Sequence, residues 1–345
     1  MDARKGFTKI DVLVTAICLI VLAVNFPVIS SSGKTHAKTD VCMANLMQLT
    51  AAWQLYAEDN GGKLVNGAPT QGNAYDSRRQ CDPAIYPSCA PYNGCSGVSC
   101  NHKAFAPLVA ADDPIFSPGG VPWHLKEKPW VGPAWGDLGS FYSSCTPAPE
   151  DCQKCAIESG ALWKYVRQYN IYKCPVGKKG ELLSYSIMDG MNGEYMYRAR
   201  GANDAIARAL CYKTMGQIRK ASQRAVFIDA GCQMSDSFAV NYDITAWFDF
   251  PPVRHGNGTT VSYADGHAEC WKYKGIETVK FAKIWDSTCS VDAWYNPATG
   301  TTVNGQYLSA SCPALNDLYK VQIACWGSVG YTNPMSMPGC ELSSD

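Results

Sequence analysis

Residues 42–65 read CMANLMQLTAAWQLYAEDNGGKLV. Cys42, Leu46, Leu49, Trp53 and Tyr56 return at steps of three and four, while Lys38, Asp40, Gln48 and Glu58 fall opposite them. That is the period of an amphipathic helix with one buried face. It predicts a helix over 34–60, stopped by Gly61-Gly62, because glycine takes the left-handed conformation that ends helices. Such a helix needs a second layer to cover its apolar stripe.

Immediately upstream, Gly6 to Gly33 reads GFTKIDVLVTAICLIVLAVNFPVISSSG, with no charge from Val12 onward. Roughly 20 apolar residues cross a hydrocarbon core. Arg4, Lys5 and Lys9 at its start hold Met1 in the cytoplasm and send the rest outward. Three readings fit: a secretory signal peptide cut near Ser30, Ser31 and Ser32, a plain signal anchor, or an assembly helix. Pro27 would kink such a helix.

Gly6-Phe7-Thr8 behind a short basic leader, with Asp11 in the apolar run, resembles the N-terminus of type IV pilins and type II secretion pseudopilins. The resemblance implies prepilin peptidase cleavage after Gly6, N-terminal methylation at Phe7, and an assembly acid, Asp11, that pairs with a neighbouring subunit's terminus. Asp11 stands where that family usually carries Glu, and Lys9 where it carries an apolar residue. The helix beyond is similar to a large bacterial group of pseudopilin-like proteins. Cys42, Asn45, Leu46, Gln48, Tyr56, Ala57, Asp59, Asn60 and Gly62 carry that likeness.

Seventeen cysteines in 345 residues point away from a reducing compartment. Cys18 lies in the apolar segment, and the other sixteen are expected to pair as disulfide bonds in an extracytoplasmic head. Residues 64–173 read as a cysteine-rich insertion of loops and short strands. Its Cys152-Gln-Lys-Cys155 invites a redox or zinc reading, but structural bridges are expected there. Cys289, Cys312, Cys325 and Cys340, four of those sixteen, divide an aromatic-rich C-terminal extension, 276–345, and suffice for two bridges within it. The formal net charge of zero excludes nucleic acid held by bulk electrostatics.

The partner layer is read from short apolar runs. A short helical period over 161–172 leads into Cys174-Pro175, then LLSYSIM (182–188) and AVFID (225–229) read as strands. A helix is expected over 276–286 and a short surface helix over 203–210. HGNGTTVSYADGHAECWKY (255–273) reads as a hairpin turning on Asp265-Gly266, with Tyr263 opposite Ala268, Val261 opposite Cys270 and one face buried. His255, nine residues, then Asp265-Gly266 also matches the signature of the prepilin-type processing-associated domain.

No catalytic residue is expected, since no Gly-x-Ser-x-Gly elbow, phosphate loop or His-Glu-x-x-His is present. His255, Asp265 and His267 offer metal-ligand chemistry. At about 3.3 Å per residue, however, a straight strand holds the imidazoles some 20–30 Å apart. His255 is therefore expected to be a structural histidine bonded to a backbone group, and His267 a surface one. The pseudopilin likeness suggests calcium on Asp229, Asp236, Asp243 and Asp249; no other cofactor is expected.

The expected architecture is α+β and pilin-like: leader 1–6, membrane and assembly helix 7–33, amphipathic spine 34–60, and a head over 61–275 built on an antiparallel sheet. The implied protein is a structural subunit of a pilus-like filament or secretion pseudopilus. It is held in the bacterial inner membrane with its head outside, then stacked with copies of itself at the cell surface or in the periplasm. Its implied partners are prepilin peptidase and the pilus or type II secretion machinery. The alternative is a membrane-anchored binding protein whose disulfide-stapled aromatic head takes polysaccharide or protein.

Overall fold

The computed structural model describes residues 31–68, 127–132, 150–193, 209–230, 237–288, 292–331 and 340–341. Gly6, Phe7 and Asp11, the short helix expected over 203–210 for all but its last two residues, and most of the cysteine-rich insertion lie outside them. Among the described residues no helix is long and apolar enough to cross a membrane.

The spine helix α1 runs Ser31–Asp59, and its predicted stripe is the face that disappears: Cys42, Leu46, Leu49 and Trp53 are fully buried. Gly61 and Gly62 both take positive φ (65° and 82°), and Gly62 N–H donates to Ala57 O at 2.7 Å, closing the helix as its sequence suggested. After the insertion, α2 (Glu150–Ser159) and the short α3 (Trp163–Val166) lead to the sheet.

That sheet is antiparallel, with β1 (Tyr185–Ile187), β2 (Ala225–Asp229), β3 (Gly258–Tyr263) and β4 (Ala268–Lys272) side by side in chain order. The fold is thus α+β. The spine lies on one face, where its stripe shares a core with Leu183, Tyr185, Ile187, Val226 and Phe227.

Only one buried face was expected for the hairpin, yet every β3 residue is buried. The reason is the C-terminal extension. Helices α4 (Ile276–Thr288) and α5 (Cys312–Trp326), with the hairpin β5 (Thr301–Val303) and β6 (Gln306–Leu308) between them, cover the opposite face. Phe281, Leu318, Val321 and Trp326 share a second core there with Ile228, Val261 and Trp271.

The expected hairpin register is off by one residue. Ser262 pairs with Ala268, Val261 with Glu269 and Thr260 with Cys270. Gly266 N–H donates to Tyr263 O at 2.9 Å and Tyr263 N–H to His267 O at 2.9 Å, a three-residue loop instead of a two-residue turn. Gly266 alone takes positive φ (102°), whereas the two-residue turn demands it of Asp265 as well. The Asp265 carboxylate instead accepts from the His267 backbone and lies 2.6 Å from its ring.

The expectation that sixteen cysteines pair is also corrected. Cys312 is bridged to Cys340, and Cys155 is disulfide-bonded, but Cys42, Cys174, Cys211, Cys270 and Cys325 are free thiols. Four of those five are buried, the ordinary place for an unbridged cysteine. Two of them face one another across the first core.

Candidate metal centre

Each of four side chains reaches one point from a different part of the chain. Cys42 comes from the buried stripe of α1. Cys174 opens the Cys-Pro-Val-Gly turn before β1, closed by Gly177 N–H to Cys174 O at 2.9 Å. Asp229 is the last residue of β2. His255 precedes β3 in a tight turn where Gly256 and Asn257 both take positive φ (63° and 62°), reversing the backbone and sending the imidazole inward.

One ligand-type atom from each of Cys42, Cys174, Asp229 and His255 lies within 4.8 Å of the other three, and all four residues are buried. His255 Nε2 is 3.1 Å from Cys174 Sγ and 3.3 Å from Asp229 Oδ2. Around this set stands an ordered polar shell. Thr39 Oγ1 lies 3.1 Å from His255 Nδ1. Tyr185 Oη and Thr260 Oγ1 lie 3.1 and 3.0 Å from Cys42 Sγ. Arg254 donates to Asp229 Oδ1 at 3.2 Å and, through its other nitrogen, to Glu181 at 3.1 Å.

The electrostatics follow from this packing. Burial pushes the Cys42 thiol up, but hydrogen bonds with Cys174 and His255 outweigh it and bring it down to about 6. Cys174 moves the other way, raised by its bond to the Cys42 sulfur and then by burial. Burial disfavours a charged His255; Asp229 and Cys42 overcome that and lift it to about 9. Asp229 is likewise opposed by burial, yet Arg254 and His255 hold it below the usual carboxylate range. The packing thus favours negative charge on the Cys42 sulfur and the Asp229 carboxylate and positive charge on the imidazole between them.

Three chemistries are open to such a set: a Cys42–Cys174 disulfide, a thiolate–imidazolium pair, or a bound metal. Asp229 Oδ2 is fully buried without a well-formed hydrogen bond and lies 3.3 Å from His255 Nε2.

The sequence-derived candidates are distributed differently. His255 is buried as expected of a structural histidine, but its ring meets side chains of Thr39, Cys174 and Asp229 where a backbone partner was anticipated. His267 is exposed and stacks on Tyr263 with ring centroids 4.3 Å apart. Asp265 and Gly266 make the hairpin loop.

Of the carboxylates considered for calcium, Asp229 faces two sulfurs and a nitrogen, a donor set that does not suit calcium. Asp249 accepts from Ala239 N–H. Asp243 sits in the turn that Gln322 holds through Asn241 O and Ile244 O. Among the described residues these three do not gather into one group, and Asp236 lies outside them.

Cys42 and Cys174 were missed as site residues. One was read as a core position and as a letter of a family likeness, the other as the cysteine of the Cys-Pro before the sheet and one of sixteen expected to pair. Their signal lay in the Cys-Pro turn and in AVFID ending on an acid, which bring an acid and a thiol to the same end of adjacent strands. Comparison of the chain with protein-family models, with curated proteins and with solved structures finds no match.

Proposed function

We propose that this chain is a structural subunit of a type IV pilus-like filament or a type II secretion pseudopilus, processed after Gly6 and assembled through its N-terminal helix. One observation carries the reading. The spine α1 follows the apolar sequence stretch Val12–Gly33 along the chain, packs one face on an antiparallel sheet, and leaves a second stripe exposed. Val41, Ala44, Gln48, Ala51 and Leu55 follow one another at heptad spacing on that stripe, all exposed, with Met47 beside them. Small and apolar residues at this spacing suit close packing against a second helix of the same kind.

On this reading the head carries no catalytic role, and its membrane-proximal partner is another copy. Asp11 supplies the acid that draws in the next subunit's amino group, in the place of the family's usual Glu. Electron microscopy of the full chain coexpressed with a prepilin peptidase tests it. Filaments that vanish with Asp11→Ala and persist with Asp11→Glu support the reading, and a processed chain that never forms filaments sinks it.

A further inference from the structure

We propose that Cys42, Cys174, Asp229 and His255 bind one zinc ion, a closed tetrahedral centre that ties the spine helix to the sheet. The inference rests on the geometry of the head alone and stands apart from the filament reading.

Zinc sites with four protein ligands use thiolates, imidazoles and occasionally a carboxylate, and a tetrahedron with their usual bond lengths spaces ligand atoms about 3.3–3.8 Å apart. The observed set is close to that scale: His255 Nε2 lies 3.1 Å from Cys174 Sγ and 3.3 Å from Asp229 Oδ2, at its short end, and all four atoms lie within 4.8 Å of one another, so small side-chain shifts would bring them to bonding distance. Asp229 Oδ2 is buried with no well-formed hydrogen bond, only the His255 imidazole at 3.3 Å, and an ion at the centre gives it a direct ligand bond.

The surrounding contacts are those that metal ligands require. A ligating imidazole normally bonds through its other nitrogen, which fixes the ring and the tautomer. Thr39 Oγ1 at His255 Nδ1 leaves Nε2 for the metal. Tyr185 and Thr260 hydroxyls hold the Cys42 sulfur, and Arg254 occupies the Asp229 oxygen that faces away from His255. Two thiolates and a carboxylate exceed the charge of Zn²⁺ by one, and the Arg254 guanidinium offsets it. Metal binding requires both sulfurs and Nε2 without protons, so loading is coupled to pH.

The competing disulfide uses two of these four groups. It would leave Asp229 Oδ2 and His255 Nε2 paired with each other at 3.3 Å and gives no reason for that pair to sit against the two sulfurs. All four ligands come from the protein and all are buried, so no position remains for water or substrate: the role is structural.

The test uses the full chain purified in detergent without chelator. Elemental analysis should give one zinc per chain, and alkylation with mass mapping should find Cys42 and Cys174 as thiols that react only after chelation. Replacement by cobalt should give the sulfur-to-metal charge-transfer band and the intense visible bands of a tetrahedral thiolate site. Cys174→Ser should cut the charge-transfer band by about half and Asp229→Asn should weaken zinc retention. If either variant fails to fold, wild-type stoichiometry and the cobalt spectrum still decide. A metal-free chain carrying a Cys42–Cys174 disulfide overturns the proposal, as does a folded chain with free thiols that takes up neither metal.

Discussion

Thr39 Oγ1 lies 3.1 Å from His255 Nδ1, joining the spine helix to the turn before β3 across 216 residues of sequence. This contact orients an imidazole whose other nitrogen faces two sulfurs and a carboxylate. Thr39→Val keeps the shape and removes the oxygen, so the ring loses its anchor. Zinc affinity should fall about 10-fold to 100-fold with the fold retained, as loss of such outer partners commonly does. Competition with a chromogenic chelator reads this directly; unchanged affinity would show that the threonine does not orient the ligand.

The two faces of α1 should respond oppositely to truncation. Trp53 is fully buried in the first core, and Trp53→Ala should cost about 3–5 kcal/mol in urea unfolding of the head. Leu55, one residue past Gln54, is exposed, and Leu55→Ala should change stability by less than about 0.5 kcal/mol. Only Leu55→Ala should lower filament yield at unchanged stability.

The Cys312–Cys340 bridge closes a 28-residue separation around α5. Constraining the unfolded chain over a loop of that size stabilises by roughly 3–4 kcal/mol. The double serine variant should therefore melt several degrees lower, and its loss should appear in the second core, where α5 covers the sheet. A melting temperature equal to the wild type's would mean that the extension is held by packing alone.

Asp317 gives a pH dependence with a definite sign. Its carboxylate accepts Lys274 N–H at 2.9 Å and Gly275 N–H at 2.8 Å, joining α5 to the start of α4. Burial nevertheless dominates and raises its pKa above 3.8. The folded state then holds the proton more tightly than the unfolded one, so this group's contribution is fully present below 3.8 and is lost as pH rises through the folded value. Asp317→Asn should remove that part of the slope. Urea midpoints measured from pH 4 to 7 should fall less steeply with rising pH in the variant than in the wild type.

The elements legible in the sequence were those with strong local period. The stripe of Cys42, Leu46, Leu49 and Trp53 located α1, and AVFID was β2 residue for residue. Where a one-residue choice mattered, locality failed: Asp265-Gly266 fits a two-residue turn, and the tertiary register set by Val261 and Trp271 in the second core selected a three-residue loop. Helix α5 was passed over because cysteines and aromatics drew attention first. Its signals were present in Ser311, which caps it by accepting from Ala314 N–H, and in Pro313 in its first turn. Asn304-Gly305, the turn between β5 and β6, was equally readable.

The candidate site was legible in pieces but not as a site. Strand arithmetic separated His255 from His267, and the structure agrees that they serve different ends. What no local rule supplied is that His255 meets residues 42, 174 and 229, three segments brought together only by the helix-on-sheet packing. An even number of cysteines also encouraged full pairing, and so concealed the two thiols that matter.

The filament reading rests most directly on the N-terminus of the mature chain, which intact-mass and peptide mass spectrometry of the membrane-extracted protein reads without ambiguity. The account predicts a chain that starts at Phe7 and carries one added methyl group on its amino nitrogen. A mature chain that starts near Gly33, or one that retains Met1 to Gly6 in the presence of an active prepilin peptidase, would contradict it.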